Sequence, residues 1–303
     1  MYDIIIIGGG AAGMTSALYA LRNGKKVLVL ESESLGGQIA TSPRLENYPS
    51  IKAISGEQFA DNLFEQITSM GADFEIEKAV RVDKHDGIFS VFTEYNTYEA
   101  KSVIIAAGVK HKHLRTKSDR NDLVGKGVYY CAICDGAFYK GKEVAVIGDA
   151  NTALQYCLLL SSYCKKVYVY TLFDKFFGDK TLIKAVKSKE NIEWRPETSV
   201  IDFIGEDYLT AIEYKNKDGE ILRHELPAVF VAIGQIPDNK PFENLVDLDK
   251  DGYIVADETC RTRTEGLFVA GDCRTKAVRQ VVTAVADGGV AATNACLYLD
   301  SIE

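Results

Sequence analysis

The first segment of the chain, which joins an apolar strand to a glycine-rich turn, constrains the fold more than any other feature. Residues Tyr2 to Ile7 form a nearly unbroken apolar run, as in a strand buried on both faces, and the pattern Gly8-x-Gly10-x-x-Gly13 follows at once. Apolar residues at helical spacing come next, and a second strand ends at Glu31. This order of elements predicts a strand–turn–helix–strand unit that binds a dinucleotide.

Each special residue of this unit has a mechanical role in binding a dinucleotide. Gly8 permits a tight turn, Gly10 lets the backbone approach a pyrophosphate, and Gly13 lets the helix pack closely against the sheet. The amino end of the helix faces the phosphates, and Glu31 can accept hydrogen bonds from a ribose diol. We therefore expect these four residues to bind a cofactor.

A second motif, the pair Cys131 and Cys134 followed by Asp135, carries redox chemistry. Two cysteines separated by two residues can close a disulfide that cycles with a dithiol, and a neighbouring acid can supply or remove the proton. The chain has four histidines and no second pair of this kind, so we expect no metal site. We expect the other cysteines to be reduced thiols, namely Cys157, Cys164, Cys260, Cys273 and Cys296.

Composition places the chain among soluble globular proteins. It has 303 residues, enough for two domains, of which 47% are hydrophobic and 26% charged. The net charge of −8 argues against nucleic acid as a general partner. No export signal is recognisable, and no apolar stretch approaches the ~20 residues that cross a bilayer. We therefore expect a cytoplasmic protein that does not bind membranes.

The alternation of strands and helical stretches in two blocks predicts the fold class. Glycine turns follow the carboxyl ends of several strands. This pattern is typical of an α/β protein with two doubly wound, Rossmann-like nucleotide-binding domains. We place one discontinuous domain at residues 1–112 and 239–303, and a central domain with the cysteine pair at residues 113–238.

Four short segments resemble the FAD-binding half of the two-dinucleotide-binding flavoproteins. They are the Gly-Gly-Gln at 36–38, the Asn-Tyr-Pro at 47–49, and the strand–glycine segments 103–108 and 266–272. The resemblance implies that FAD is the cofactor of the discontinuous domain. It also implies that Gly37, Gln38 and Asn47 contribute to the FAD site.

The same resemblance assigns roles to the C-terminal segment. It implies that Asp272 contacts the ribityl chain or the pyrophosphate region, and that Arg279 and Gln280 lie near the flavin ring. It further implies a helix over residues 284–292 whose amino end points at the O2 edge of the flavin.

With residues 131–136 included, the chain resembles the low-molecular-weight thioredoxin reductases over nearly its whole length. The resemblance implies a flavin-dependent disulfide reductase that acts on thioredoxin, forms a homodimer and rotates its domains between two states. By position, Cys134 faces the flavin, Cys131 attacks the thioredoxin disulfide, and Asp135 is the acid and base.

The turn at which this family binds NADPH departs from the family pattern. Residues 148–153 read Gly-Asp-Ala-Asn-Thr-Ala, so Ala150 stands at the middle glycine, where its Cβ takes the space of the pyrophosphate. Asp149 adds a negative charge beside a phosphate site. After the next strand, Thr171, Leu172 and Phe173 replace the basic cluster of the family.

The missing basic side chains bear directly on nucleotide binding. Phe177 stands where the family has a further arginine. Losing two or three charged hydrogen bonds of about 1.5–3 kcal/mol each weakens the binding of a 2′-phosphate by several orders of magnitude. No carboxylate ends the strand to hold the free hydroxyl of NADH. The sequence therefore predicts that the central domain has lost its nicotinamide nucleotide.

Without a hydride donor, the flavin needs another source of electrons. Reduced ferredoxin is chemically adequate, because a flavin accepts one or two electrons whereas the disulfide needs a pair. The chain thus resembles the ferredoxin-dependent flavin thioredoxin reductases, a branch of the family. Ferredoxins are generally acidic, and the basic segment Lys110–Lys117 fits either their docking or a solvated linker. Lysines that extend this segment if the fold brings them close are Lys140, Lys142, Lys165 and Lys166.

Other interpretations stay open at the level of sequence. The chain could be a thioredoxin reductase that uses NADPH or NADH through an atypical site. It could be an FAD-dependent dithiol oxidase, which passes electrons from a small dithiol to oxygen. It could also be a binding module that keeps FAD for structure, although that role needs neither cysteine. Phe173, Phe176 and Phe177 fit core or interdomain packing, the filling of a vacated nucleotide groove, or a protein-docking surface.

Overall fold

The computed structural model describes residues 1–42 and 45–302. The chain forms two compact units. The first unit comprises Met1–Lys110 and Ile236–Glu303, and the central unit comprises His111–Gln235. The boundaries expected from the sequence, after residues 112 and 238, lie a few residues further along the chain.

The regular elements of the described residues alternate along both units. The strands are β1 (Tyr2–Ile7), β2 (Val27–Glu31), β3 (Asp73–Ile76), β4 (Ala79–His85), β5 (Ile88–Thr93), β6 (Thr97–Ile105), β7 (Lys110–His111), β8 (Val128–Tyr129), β9 (Glu143–Ile147), β10 (Lys166–Tyr170), β11 (Ile192–Arg195), β12 (Ser199–Gly205), β13 (Leu209–Lys215), β14 (Ile221–Glu225), β15 (Val229–Val231), β16 (Gln235–Ile236) and β17 (Leu267–Val269). The α-helices are α1 (Ala11–Arg22), α2 (Gly56–Thr68), α3 (Ala132–Asp135), α4 (Asn151–Ser161), α5 (Lys180–Lys187) and α6 (Val281–Ile302).

The first unit is built on one sheet with the strand order β3-β2-β1-β6-β5-β4, and β17 also pairs with β6. β1 runs parallel to β2 and β6, whereas β4, β5 and β6 pair antiparallel. The last four residues of β1 are buried, which explains its apolar sequence. Helices α1 and α6 cover one face of the sheet, and Phe242, Val246 and Ile254 pack on the other. The carboxyl ends of β1, β2, β6 and β17 therefore meet at one edge of the sheet.

The central unit has a parallel sheet with the order β11-β10-β9-β15-β8. Helix α4 packs on one face, and the antiparallel sheet β12-β13-β14 covers the other. The prediction of two doubly wound α/β domains is confirmed. Strands β12–β14 and the antiparallel strands of the first unit were not predicted, because the alternation of strands with helices in the sequence indicates only parallel strands.

Helix α6 is the longest helix among the described residues. Within the described residues it is the one helix long and apolar enough to cross a membrane, with 22 residues from Val281 to Ile302. It nevertheless packs in the core of the first unit. A Cβ on Gly288 would lie 2.3 Å from the carbonyl oxygen of Ala12, and Ser16 Oγ donates to the Gly288 carbonyl at 3.1 Å. The apolar character of α6 is explained by this close contact with α1.

Candidate active site

The turn after β1 leaves room for a ligand next to the backbone. Gly8 has φ of 114°, and a Cβ on Gly13 would lie 1.8 Å from the Gly8 carbonyl oxygen, so α1 needs glycine there to approach the strand. Gly10 precedes α1 and has no side chain to cap the helix. A Cβ on Gly10 would contact only the carbonyl oxygen of Gly36, at 3.7 Å. The free amides at this helix start suit a phosphate.

Glu31 reaches this turn from the end of β2. Its Oε2 accepts a hydrogen bond from the Gly9 amide at 2.7 Å, and its Oε1 accepts from the amides of Ser32 at 2.7 Å and Glu33 at 3.0 Å. The side chain is buried. The structure thus brings Glu31 to the glycine turn and fixes its carboxylate with backbone donors. The contact of Glu31 with a ribose remains a prediction.

Asp272 follows β17 at the same edge of the sheet. Its Oδ1 is buried and has no hydrogen-bond partner among residues 1–42 and 45–302. Burial raises the pKa of this carboxyl to about 6, against the opposing effect of Lys276 and Arg279. Arg279 donates from Nε to the Asp272 carbonyl at 3.2 Å and lies 4.0 Å above the ring of Tyr253. A buried acceptor without a donor fits a ligand that carries hydroxyl groups, as the ribityl chain of FAD does.

The remaining predicted FAD residues lie in the first unit. Asn47 donates from Nδ2 to Gln280 Oε1 at 3.1 Å, and Gly37 approaches Gly10 closely enough that a Cβ on it would lie 3.6 Å from the Gly10 Cα. Gln38 instead donates to the carbonyl of Val109. The helix expected over residues 284–292 is longer than predicted, since α6 begins at Val281 and ends at Ile302.

The central unit contains the redox disulfide. Cys131 and Cys134 are bonded, with their Cα atoms 5.3 Å apart. Cys131 caps the amino end of α3, and its Sγ accepts a hydrogen bond from the Cys134 amide at 3.1 Å. Both residues are half-buried, and Ile133 between them is exposed. The Cys134 amide is thus a hydrogen-bond donor placed next to the Cys131 sulfur.

Asp135 closes α3 directly after the disulfide. The residue is 7% exposed, and its Oδ1 has no hydrogen-bond partner among the described residues. Burial raises the pKa of the Asp135 carboxyl to about 7. A carboxyl with this pKa can take up or release a proton at neutral pH, which the chemistry of a dithiol requires.

Tyr130 connects the disulfide segment to two histidines of the basic segment, His111 and His113. The ring of His111 stacks on the Tyr130 ring with centroids 4.8 Å apart, and His113 Nδ1 lies 3.1 Å from the Tyr130 hydroxyl. Tyr156 donates its hydroxyl to the Tyr130 carbonyl at 3.0 Å. Burial, and then the charge of His113, lower the pKa of His111 to about 4. The residue before Cys131 is therefore held by three side chains.

The turn after β9 repeats the backbone of the first turn with other side chains. Gly148 has φ of 145°, and Ala150 precedes α4. The Asp149 carbonyl accepts a hydrogen bond from the Phe177 amide at 2.8 Å. Thr171 is buried, so only its neighbours after β10 face the solvent.

The basic segment predicted for ferredoxin docking is partly neutralised. Lys110 forms an ion pair with Glu33 in the first unit. Lys165 pairs with Glu143 at 2.7 Å. Lys166 pairs with Glu193 at 2.5 Å. The remaining side chains of the segment that are basic and exposed are Lys112, His113, Arg115 and Lys117, and Lys140 and Lys142 are exposed elsewhere in the central unit.

The chain resembles known proteins over its whole length. Residues 2–288 match the family described as pyridine nucleotide-disulphide oxidoreductases. The chain is 37% identical over 306 residues to a thioredoxin reductase from Treponema pallidum, which covers 100% of this chain and 98% of that protein. It is 34% identical over 299 residues to the "34.2 kDa protein in rubredoxin operon" of Clostridium pasteurianum, covering 98% of this chain and 97% of that protein.

A solved structure agrees with these sequence matches. The crystal structure of thioredoxin reductase from Streptococcus pyogenes has a TM-score of 0.94 and 32% identity, with 99% of each chain covered. This chain has a disulfide between Cys131 and Cys134, a glycine turn after β1 and a buried Asp272 Oδ1 that has no hydrogen-bond partner among the described residues. The chain belongs to the pyridine nucleotide-disulphide oxidoreductase family and is a thioredoxin reductase-like flavin disulfide oxidoreductase that uses FAD.

Proposed function

We propose that this protein reduces thioredoxin through FAD and the Cys131–Cys134 disulfide, with ferredoxin as the electron donor. The observation that carries the disulfide chemistry is the bonded cysteine pair beside a buried carboxyl whose pKa is about 7. The donor is inferred from the side chains around the turn after β9. The protein acts as a cytoplasmic homodimer in this proposal.

The two cysteines divide the exchange reaction between them. The Cys131 thiolate attacks the thioredoxin disulfide and forms a mixed disulfide. Cys134 then attacks Cys131 Sγ, which releases dithiol thioredoxin and restores the Cys131–Cys134 bond. Asp135 accepts the proton that a cysteine loses before attack and returns it to the thiolate that leaves. Each cycle consumes two electrons and two protons.

The residues proposed to hold FAD belong to the first unit. Gly8, Gly10 and Gly13 bring the backbone to the pyrophosphate, and Glu31 binds the ribose. Asp272 accepts a hydrogen bond from the ribityl chain, which provides the donor that its Oδ1 lacks. The residues proposed to border the flavin ring are Gly37, Gln38, Asn47, Arg279 and Gln280. FAD supplies the chemistry that joins one-electron donors to a two-electron disulfide.

The choice of donor follows from the two segments of the central unit where the family binds the phosphates of NADPH. Neither residues 148–153 nor residues 171–173 include a lysine or an arginine, and Leu172 and Phe173 are exposed. A 2′-phosphate at this position would find no guanidinium group there. A relative encoded in a rubredoxin operon agrees with a one-electron iron protein as donor. Two reduced ferredoxins then supply the electrons for each disulfide.

A second candidate is the same reaction driven by NADPH. The family is named for pyridine nucleotides, and relatives that are 37% and 34% identical to this chain are named thioredoxin reductases without the ferredoxin qualifier. The glycine at positive φ after β9 keeps the backbone of a nucleotide turn. This candidate requires a nucleotide pocket that binds phosphate without the usual basic cluster.

An anaerobic titration of the oxidised, FAD-loaded protein separates the two candidates. The flavin absorbance is followed while NADPH, NADH or chemically reduced ferredoxin is added. We expect ferredoxin to bleach the flavin, thioredoxin to restore it, and both nucleotides to leave it oxidised. Prompt bleaching by micromolar NADPH would overturn the ferredoxin proposal and support the second candidate. Rapid oxygen consumption with small dithiols would instead identify a dithiol oxidase.

A further inference from the structure

Apolar side chains stand out from the loop that follows β10. Leu172, Phe173 and Phe177 are 63%, 50% and 53% exposed. The rings of Phe173 and Phe177 meet edge to face, with centroids 5.1 Å apart. Burial of a large apolar side chain stabilises a protein, so a group of exposed ones on one loop indicates a surface that contacts another molecule.

The loop is held in this conformation by its own contacts. Phe176 is buried and stacks on Trp194, with ring centroids 4.7 Å apart. Trp194 Nε1 donates to Thr171 Oγ1 at 3.0 Å, and the Phe177 amide donates to the Asp149 carbonyl at 2.8 Å. The apolar side chains are therefore presented on a preformed surface, which lowers the entropy lost on binding.

Lysines surround the exposed aromatic rings. Lys180, Lys184 and Lys187 recur at helical spacing along α5 and are exposed, and Lys175 Nζ lies 5.2 Å above the Phe177 ring. Residues 172–190 contain five lysines and three carboxylates, and one of these carboxylates, Asp179, caps α5. The whole chain has the opposite balance, with 35 basic and 43 acidic side chains. This segment is thus a local basic surface on an acidic protein.

We infer that this surface is the docking site of the proposed electron donor, a small acidic electron-carrier protein. We call it the α5 surface and define it by Leu172, Phe173, Lys175, Phe177, Lys180, Lys184 and Lys187. An apolar centre with a charged rim is the usual anatomy of a protein interface, and opposite charge accelerates the encounter. The inference rests on the proposed function.

The α5 surface fits this partner better than the segment Lys110–Lys117. In that segment Lys110 forms an ion pair with Glu33, and the one large apolar side chain, Leu114, is half-buried. Lys175, Lys180 and Lys184 make no ion pair with any described residue. Of these two segments, the α5 surface is the one that combines lysines without an ion pair and exposed aromatic rings.

The test compares charge reversal on the two basic segments. The variant K180E/K184E/K187E alters the α5 surface, and K112E/R115E/K117E is the matched control. Anaerobic stopped-flow measures flavin bleaching by chemically reduced ferredoxin at low salt and at about 0.5 M NaCl. We expect the α5 variant to bleach about tenfold more slowly or worse at low salt and to approach the wild type at high salt. The control should stay within about twofold at both salt concentrations.

A second variant tests the apolar contribution to binding separately from the contribution of the lysine charges. F173S/F177S should weaken binding of oxidised ferredoxin, measured by calorimetry, with little dependence on salt. Circular dichroism and thioredoxin reduction by dithionite-reduced enzyme should be unchanged in every variant.

The outcomes distinguish failure of the inference from failure of the proposed function. Unchanged binding and bleaching in both α5 variants would overturn the docking site alone, and a loss confined to the control would place docking on residues 112–117. If ferredoxin binds the wild type without bleaching it, the proposed donor fails, and binding to the variants still decides the surface. If ferredoxin does not bind the wild type, both proposals are wrong.

Discussion

The turn after β1 and the turn after β9 share a backbone but differ in what they offer a ligand. Each starts with a glycine at positive φ, Gly8 and Gly148, and each helix follows a residue with extended backbone, Gly10 with ψ of −174° and Ala150 with ψ of −175°. At the first turn a carboxylate, Glu31, comes from the next strand and bonds the Gly9 amide. The second turn has no such carboxylate from β10, and residue 150 carries a Cβ.

This comparison indicates that the fold of a Rossmann-type unit depends on close packing at its first glycine and not on the residue that faces the ligand. Gly8 and Gly148 each lie where a Cβ would clash with a neighbouring carbonyl, at 2.2 Å from Ala106 and 2.4 Å from Ala232. Those glycines are needed for the fold. Residue 10 or 150 faces the ligand side, so it can change without loss of the unit. The sheet of the central unit therefore does not require a glycine at residue 150.

The largest effect is expected from Cys134→Ser, which tests whether the central unit acts through its disulfide. Thioredoxin reduction should fall by about 1000-fold or more, because Cys131 alone cannot resolve a mixed disulfide. Steady-state turnover with thioredoxin measures this effect, and Cys296→Ala is the control thiol. Retained turnover would move the chemistry away from the cysteine pair.

Asp135→Asn should lower turnover by about 100-fold near neutral pH, because the variant has no group at this position to exchange a proton. The wild-type rate should depend on an ionisation near the pKa of about 7, and the variant should lose that limb. The pH profile of kcat/KM measures both effects. A profile that keeps its limb in the variant would assign the ionisation to another group.

The same variant should change how stability depends on pH. The folded carboxyl has a pKa of about 7, above its ordinary value of about 3.9, so the folded state binds more protons between these values. The free energy of unfolding therefore decreases as pH rises through this window, and the stabilising effect of the raised pKa is complete only below it. Urea unfolding at pH 4.5 and pH 8 should show that the wild type loses about 1–4 kcal/mol more than Asp135→Asn.

Gly10→Ala and Ala150→Gly test the comparison of the two turns directly. Gly10→Ala should weaken FAD binding by about tenfold, since the added methyl has space in the fold but stands on the ligand side. Ala150→Gly alone should gain no reduction by NADPH, whereas A150G/L172R/F173R should gain it. Apoprotein reconstitution measures the first effect and anaerobic bleaching the second. If Ala150→Gly alone restores bleaching, the basic cluster is dispensable.

The smallest effect is expected from Tyr130→Phe. The variant keeps the ring that stacks on His111 and removes the hydroxyl that contacts His113 Nδ1. Loss of one hydrogen bond should slow thioredoxin reduction about two- to fivefold through kcat, with KM unchanged. His113→Gln, which can still accept the bond, is the control. An equal loss in both variants would show that the hydroxyl contact is not what positions Cys131.

Much of the candidate site could be predicted from local sequence. The glycine spacing, the cysteine pair with its acid and the apolar strands depend on residues close together in the chain, so periodicity and motif identify them. The contacts of Tyr130 with His111, and the orphaned Oδ1 of Asp272, could not be read in this way. They depend on which segments the fold places side by side.

By itself, the sequence determined the class of fold and the redox pair, and its prediction that the second turn has lost a nucleotide motif stays a prediction. Only the tertiary structure decided that Asp135 is buried enough for a pKa of about 7. It also decided that Lys165 and Lys166 form ion pairs with Glu143 and Glu193. In the loop after β10, it buries Phe176 and leaves Phe173 and Phe177 exposed. Burial and ion pairing of a side chain depend on which residues, distant in sequence, the fold packs around it. The spacing of residues along the chain does not indicate these tertiary neighbours.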